Sequence, residues 1–312
     1  MKAFVLGAGL GTRLRPLTEN RPKPLGPLYG KPLITFAFDH LLASGVTQFF
    51  VNTHHCPEAY DRIFPSRQYR GRDILFRHEP VLLDTGGGIK NMEDVLDDSP
   101  FIAYNGDVLA DFPLTPAIES HRRNGNLATL VLRSTGGLRN VRARNGLVTD
   151  LRGTLGREDD PAFLFTGITI LSPEIFRHIP AGEILSVVPV YLDLIRRGAR
   201  VGAEIIDAGL WEDLGTRESY LEVHKLLRPG GGRLTYLPGD WPTPVEAGSH
   251  IASTAKLEGV CSIGSGASIG AEAILRDSVV WKNAVVAPGS RLTRCVVREG
   301  VKVAGAFEDT DL

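Results

Sequence analysis

Gly7, Gly9 and Gly11 stand at alternate positions directly after a short apolar run, Ala3 to Leu6, and Arg13, Arg15 and Lys23 follow them. Glycine lets the backbone turn with positive φ and lie close against a ligand. Successive exposed N–H groups then form a concave nest for anionic oxygens. Fixed guanidinium and ammonium groups beside such a nest are what a polyphosphate needs. The chemistry expected of this stretch is phosphate binding. A dinucleotide turn would want Gly-x-Gly-x-x-Gly opening a helix. Here Thr12 stands where the third glycine would fall. Pro16, Pro22, Pro24 and Pro27 also bar an immediate long helix. The segment therefore reads as a long cationic loop. A plain glycine-rich surface loop is the competing reading, and Arg13 and the ten-residue step to Lys23 weigh against it.

Four other places carry candidate chemistry. Asn105-Gly106-Asp107 ends an apolar run, and a carboxylate at the carboxyl end of a strand, beside a polyphosphate loop, suits Mg²⁺; the plain alternative is a strand-to-turn Asn-Gly-Asp. His78-Glu79 through Asp84-Thr85-Gly86-Gly87-Gly88 places three glycines before an expected helix, a surface for close approach, or simply a helix start capped by Asp84. Thr166-Gly167 interrupts the apolar run 162–171, which marks a bulge or the approach of a ligand. His54-His55-Cys56 has zinc-ligand types, but no second ligand cluster lies at a suitable spacing.

The stretch LGAGLGTRLRPLT, Leu6 to Thr18, followed by Pro22-Lys-Pro-Leu25, resembles the signature of the sugar-1-phosphate nucleotidyltransferases, and the resemblance extends less densely to about residue 225. It implies the reaction NTP + sugar 1-phosphate → NDP-sugar + pyrophosphate, with Mg²⁺. It implies that the backbone Leu6, Gly7, Ala8, Gly9, Gly11 and Thr12, with Arg13 and Lys23, cradles the nucleotide phosphates. In the resembling family the 79–88 segment lies against nucleobase and ribose, so Glu79, Gly86 and Gly87 become base contacts, joined by Asn105 and Gly106. Asp107 matches the family's catalytic aspartate. Trp211-Glu-Asp213-Leu-Gly-Thr216 resembles its second metal motif, which makes Asp213 rather than Glu212 the partner of Asp107. Thr166, Gly167 and Asn105 fall where family members meet the sugar. The catalytic set expected is Arg13, Lys23, Asp107 and Asp213. A Glu-Lys-Pro motif common in the family is absent, which leaves Arg133, Arg139, Arg142 or Arg144 to meet the sugar phosphate. The Asp84-Thr-Gly-Gly-Gly loop looks most like that of N-acetylmuramate-1-phosphate uridylyltransferases; mannose-1-phosphate guanylyltransferases usually carry an alanine there. UTP is therefore expected first and GTP second.

These residues need a scaffold. Apolar runs at 47–51, 73–76, 101–104, 127–132, 162–171 and 201–206 read as strands, and stretches at 32–44, 87–96 and 114–124 as helices between them. Asn145-Gly146 predicts a hairpin joining 141–144 to 147–151. The alternation implies an α/β fold: a Rossmann-like mixed, mainly parallel sheet with helices on both faces and its ligands at the carboxyl ends of the strands. A catalytic domain is expected over 1–227 and a Gly/Pro-rich linker over 228–244. From 245 to 306, Ile251, Leu257, Ile263 and Ile269 recur every six residues, and Val280, Val286 and Leu292 follow after a longer step. This resembles the hexapeptide of a left-handed parallel β-helix, one apolar residue per face pointing inward.

At 312 residues, with 43% hydrophobic and 23% charged residues, the chain has room for a large domain and a small one. A net charge of −1 offers no basic field for nucleic acid or membrane. Three cysteines without a Cys-x-x-Cys pair, and a first strand where a signal peptide would stand, point to a reducing cytoplasm. The open ends of a short β-helix favour a homo-oligomer. A non-catalytic nucleotide-sugar sensor is the alternative in a different class. Loss of Arg13, Lys23, Asp107 or Asp213 would favour it, and all four are present.

Overall fold

The computed structural model describes residues 1–238 and 241–312. Gly239 and Asp240, within the linker expected at 228–244, lie outside the described residues. The strands before the tail are β1 (Lys2–Leu6), β2 (Pro27–Leu28), β3 (Lys31–Pro32), β4 (Gln48–Thr53), β5 (Gln68–Tyr69), β6 (Arg72–His78), β7 (Phe101–Asn105), β8 (Val108–Asp111), β9 (Ala128–Arg133), β10 (Val141–Arg144), β11 (Leu147–Leu151), β12 (Ala162–Leu171), β13 (Val201–Ile205) and β14 (Leu210–Asp213). The α-helices are α1 (Ile34–Ala43), α2 (Glu58–Ile63), α3 (Asp84–Lys90), α4 (Glu93–Leu96), α5 (Thr115–Asn124), α6 (Val187–Arg196) and α7 (Arg217–Leu226). By its contacts the chain forms two compact units. Their limits differ from the consecutive domains expected along the chain.

The first unit is Met1–Gly9 with Phe36–Trp211. Its sheet has ten strands in the order β10-β11-β13-β9-β12-β7-β1-β4-β6-β5. β1 runs parallel to both β4 and β7, so Leu6 lies beside Asn52 on one side and Asn105 on the other. Strands covered on both faces need continuous apolar runs. Ala3, Phe4 and Val5 accordingly show no exposed surface. β12 runs antiparallel between β7 and β9, which makes the sheet mixed. Its register against β9 breaks between Phe165 and Thr169, so Thr166-Gly167 is a bulge, with Gly167 at φ 78°. The β10–β11 turn places Asn145 and Gly146 at φ 52° and 74°, the left-handed pair that a two-residue hairpin needs. α5 stops at Gly125, left-handed at φ 58°, with His121, Arg122 and Arg123 in its last turn. Ser186 caps α6 by accepting from the Val188 N–H.

The second unit is Leu10–Thr35 with Glu212–Leu312. Its N-terminal part has two 3-10 turns, Thr12–Leu14 and Lys23–Leu25, and the β2–β3 hairpin. α7 is closed by a capping box between Thr216 and Ser219. The tail is a left-handed parallel β-helix of three sheets. Ile251, Ile269, Val286 and Val303 stack on one face; Leu257, Leu275, Leu292 and Phe307 on the second; Ile263, Val280 and Val297 on the third. Leu275 fills the longer step of the repeat and is fully buried. No helix among the described residues is long and apolar enough to cross a membrane.

Two details differ from the sequence expectation. The helix expected at 87–96 begins at Asp84, which places the three glycines inside α3 rather than before it, and it ends at Lys90 before the short α4. A further strand, β8, follows Asp107.

Buried histidines set an acid limit on the fold. His121, against Thr129 and Ser172, and His224 are each 2% exposed, and burial lowers both to a pKa of about 4. The unfolded chain binds these protons near pH 6.5 and the folded chain only near pH 4. Stability is therefore full above 6.5 and lost as pH falls through that window, by on the order of 2–3 kcal/mol per histidine. Thermal melts between pH 7 and pH 4 should show a falling midpoint, and His121→Gln should flatten the slope.

Candidate functional site

The three glycines of the first loop serve three purposes. At Gly7 a Cβ would stand 2.7 Å from the Asn52 carbonyl and 2.7 Å from the Tyr60 hydroxyl. Both of its backbone groups are engaged: its N–H donates to Asn52 Oδ1 at 2.8 Å, and its carbonyl accepts from Tyr60 Oη at 2.9 Å. Gly11, at φ 61°, is needed for its conformation, and its carbonyl accepts from the Leu14 N–H and from Thr18 Oγ1. A Cβ at Gly9 would meet nothing within 4 Å. Gly9 is thus the glycine whose missing side chain leaves open space for a ligand. Ala8 beside it is buried, and Thr12 is exposed at the start of its 3-10 turn.

Asn52 and Tyr60 have no counterpart among the expected site residues. Their signal was available, since Asn52 is a polar residue closing the apolar Phe49-Phe-Val run. Its amide continues inward and donates to Glu79 Oε1 at 2.8 Å. Glu79 is 1% exposed, and its other oxygen accepts the Leu83 N–H at 3.1 Å. Both carboxylate oxygens of Glu79 are therefore engaged by protein donors. A buried polar chain runs from the glycine loop through Asn52 and Glu79 to the approach of α3.

The glycine triplet faces protein. A Cβ at Gly86 would stand 2.7 Å from the Leu185 carbonyl, and one at Gly87 would stand 2.4 Å from the Glu183 carbonyl. The N–H groups of Gly86 and Gly87 both donate to the Leu185 carbonyl, at 2.7 and 3.0 Å. The expected base contacts at these two amides are thus spent on the 183–187 segment. A Cβ at Gly88 would press on Asn52 and Glu79. The glycines let α3 lie against neighbouring backbone.

At the carboxyl end of β7 the expected residues assemble. The Gly106 N–H donates to the Leu6 carbonyl at 3.0 Å, which ties the Asn105-Gly106-Asp107 turn to the end of β1. A Cβ at Gly167 would stand 2.7 Å from the Asn105 amide nitrogen, so the bulge on β12 makes room for the Asn105 side chain. The buried Thr166 offers its carbonyl to Trp211 Nε1 at 2.9 Å. Leu6, Asn105, Gly106, Asp107, Thr166 and Gly167 thus share one end of the sheet.

In the second unit Lys23 and Arg13 meet the Asp213–Gly215 segment. Lys23, 9% exposed, places its ammonium 3.7 Å from Asp213 Oδ1. A Cβ at Gly215 would stand 3.0 Å from the Arg13 guanidinium, so Gly215 seats that group flat against the backbone two residues beyond Asp213. The arginines offered for the missing lysine separate clearly. Arg133 donates to the carbonyls of Ile206, Asp207, Ala208 and Gly209 and is a structural clamp. Arg142 and Arg144 are engaged by Asp160, Arg142 through the carbonyl. Arg139 is exposed and donates to the Ser134 carbonyl.

Among the described residues no three His, Cys, Asp or Glu side chains group as a metal cluster. Asp107 and Asp213 offer oxygen donors only. Carboxylate oxygen is the donor type that a hard divalent cation takes.

The family model described as nucleotidyl transferase matches residues 2–139. A mannose-1-phosphate guanylyltransferase of Mycobacterium tuberculosis is 30% identical over 96% of this chain and 80% of its own length. An N-acetylmuramate alpha-1-phosphate uridylyltransferase of Neisseria meningitidis is 30% identical over 69% of this chain and 94% of its own. The solved inositol-1-phosphate CTP transferase of T. maritima shares the fold, with a TM-score of 0.59 and 17% identity over 70% of this chain and 90% of that one.

The glycine geometry predicts opposite phenotypes two residues apart. Gly9→Val should leave the melting midpoint within about 2 °C and weaken binding of UTP and GTP at least tenfold by calorimetry. Gly7→Ala should lower the midpoint, because its Cβ overlaps Asn52 and Tyr60.

Proposed function

The chain belongs to the sugar-1-phosphate nucleotidyltransferases, and on that premise we propose that it joins the nucleotidyl group of UTP, ahead of GTP, to an N-acetylated or hexose 1-phosphate. The observation that carries this reading is the convergence of Arg13 and Lys23 on the Asp213–Gly215 segment. Nucleotide and sugar phosphate are both anions, so the protein's work is positioning and charge neutralisation. A sugar-phosphate oxygen forms a bond to the α-phosphorus as the bond to the β-phosphate oxygen breaks, and pyrophosphate leaves with that electron pair. No protein nucleophile is required.

Arg13 and the open backbone at Gly9 hold the β- and γ-phosphates. Lys23 neutralises charge at the α-phosphate. Asp107 and Asp213 would hold a divalent cation, for which we favour Mg²⁺, and which when bound neutralises phosphate charge and polarises the α-phosphorus. Asn105, seated by Gly167, offers its amide to the sugar beside the Thr166 backbone. Arg139 is the proposed partner of the sugar phosphate. Preference for UTP is supported by the sequence resemblance of the Asp84-Thr-Gly-Gly-Gly stretch and by likeness to the uridylyltransferase. The guanylyltransferase similarity, which spans the tail as well, favours GTP as the second reading. The free cysteines Cys56, Cys261 and Cys295 support a reducing compartment such as the cytoplasm.

Pyrophosphate release with UTP, GTP, dTTP and ATP against a panel of sugar 1-phosphates tests the reading. UTP should be fastest, and dTTP or ATP in first place would overturn the base assignment alone. Asp107→Asn and Asp213→Asn should each lower kcat by at least about a hundredfold without unfolding the chain. Near-normal turnover of either variant at limiting Mg²⁺ would remove it from the metal site.

We also propose assembly through the β-helix, a stack of short parallel strands in three sheets. Light scattering of the full chain should give a multiple of 33.9 kDa, and a monomer mass would refute it.

A further inference from the structure

The turn that carries Lys23 is held at its front by the β-helix tail and at its rear by Tyr220, which the tail backs. In front of it, Arg21 pairs with Glu299 and places its guanidinium 5.4 Å from the centre of the Trp281 ring. The same guanidinium reaches into the turn and donates to the Leu25 carbonyl at 3.2 Å. Behind it, the Pro27 carbonyl accepts from Tyr220 Oη of α7, and Trp281 Nε1 donates to the Tyr220 hydroxyl oxygen at 3.0 Å. One indole, 5% exposed, therefore meets the front of the turn through its ring and the rear only by way of the Tyr220 hydroxyl, to which its N–H donates. Burial raises the Tyr220 phenol well above its ordinary value, so it stays a donor to Pro27 across the working pH range. Further back in the loop, Arg298 donates to the Pro16 carbonyl at 3.3 Å and pairs with Glu19 at 2.7 Å. Arg21, Lys23, Gly26, Leu214, Tyr220 and Trp281 line one small cavity.

The loop has little regular structure with which to hold itself. Between Leu10 and Leu33 it has two three-residue turns and a hairpin of two residues per strand. Such pieces are marginal alone. A displacement of about 1 Å in a positioning group can cost about a hundredfold in rate. Lys23 must therefore be placed by what surrounds it, and the tail supplies the contact at the front of its turn and, through Tyr220, backs the contact at the rear.

We infer that Trp281 and Glu299 are positioning residues for Lys23, which makes the β-helix a working part of the catalytic machinery rather than an assembly module alone. The inference rests on the reading of Lys23 as the cation at the α-phosphate. Neither residue touches substrate; each acts through the backbone of residues 21–27.

The test is a double-mutant cycle on the full chain. Pyrophosphate release is measured with UTP plus glucose 1-phosphate and with GTP plus mannose 1-phosphate. Trp281→Phe keeps the ring and removes the N–H; Glu299→Ala removes the partner of Arg21. Each should lower kcat about three- to tenfold while the KM for the sugar 1-phosphate stays within about twofold. Glu299→Gln should recover part of the loss. In a Lys23→Ala background neither substitution should lower kcat further, because the residue they position is gone. Losses that multiply in that background would overturn the inference and leave Lys23's role intact. A Lys23→Ala enzyme with wild-type kcat would overturn the underlying reading and this inference with it. Glu299 is partly exposed, so its variants keep the cycle informative should Trp281→Phe unfold.

Discussion

A lysine side chain that is 8% exposed, with its ammonium 3.7 Å from Asp213, is the constraint around which the second unit is arranged. Removing an ammonium group from water costs several kcal/mol unless a counter-charge and further polar contacts accompany it. Lys23 and Asp213 lie far apart in sequence, so the pair forms only if the signature loop and the 212–216 segment belong to one compact body. The contact pattern has that form, with residues 10–35 grouped with 212–312 rather than with the strand that precedes them. The glycine at 215 and the capping box at Thr216–Ser219 follow from the same need. Gly215 admits the Arg13 guanidinium, and the cap starts α7 at once, which fixes the backbone next to Asp213.

Glycine carries two distinct burdens in this chain, and only geometry separates them. Gly7, Gly86, Gly87 and Gly106 are glycines because a carbonyl or hydroxyl of the protein occupies the space a Cβ would need. Gly9 alone among the signature glycines leaves that space open and has φ < 0. A glycine-rich motif thus states that something approaches closely, but not whether the neighbour is a phosphate or the next strand.

This ambiguity marks where the sequence was legible. The apolar run 162–171 was located to the residue, and so were 141–144 and 147–151, which the Asn145-Gly146 turn between them marks as a hairpin. The bulge at Thr166-Gly167 was equally readable, since a glycine inside a strand has few other uses. The six-residue period disclosed the β-helix, because inward positions of a narrow coil accept only small or aliphatic side chains. The inward partner of Asn52 was not readable. Glu79 looks like an exposed acid in a loop, and only its burial shows that both oxygens are engaged inside the protein. Start and stop of α3 were missed for a related reason. Three consecutive glycines oppose a helix on propensity. Here the Gly86 and Gly87 N–H groups, unpaired at a helix start, donate to Leu185, and tertiary contact overrides the local preference.

A reaction that needs no protein nucleophile places its demands on distances. Charge stabilisation by a fixed cation depends on separation as well as on identity, and a fixed group acts without reorganising as charge shifts. A loop built from short turns gains fixity only from external contacts, and those available to the Lys23 turn include an indole N–H, a buried phenol and an arginine with a carboxylate partner. Each is directional, so each resists rotation of the turn as well as its displacement, which apolar packing alone does less well. The tail brings stiffness of its own, since its rungs are joined by continuous parallel ladders and its interior is filled by Ile263, Leu275, Val280, Val286, Leu292 and Val297. A rigid stack that holds a loop through oriented polar contacts lends that loop its own fixity, and the Lys23 turn is the part of the loop these contacts reach.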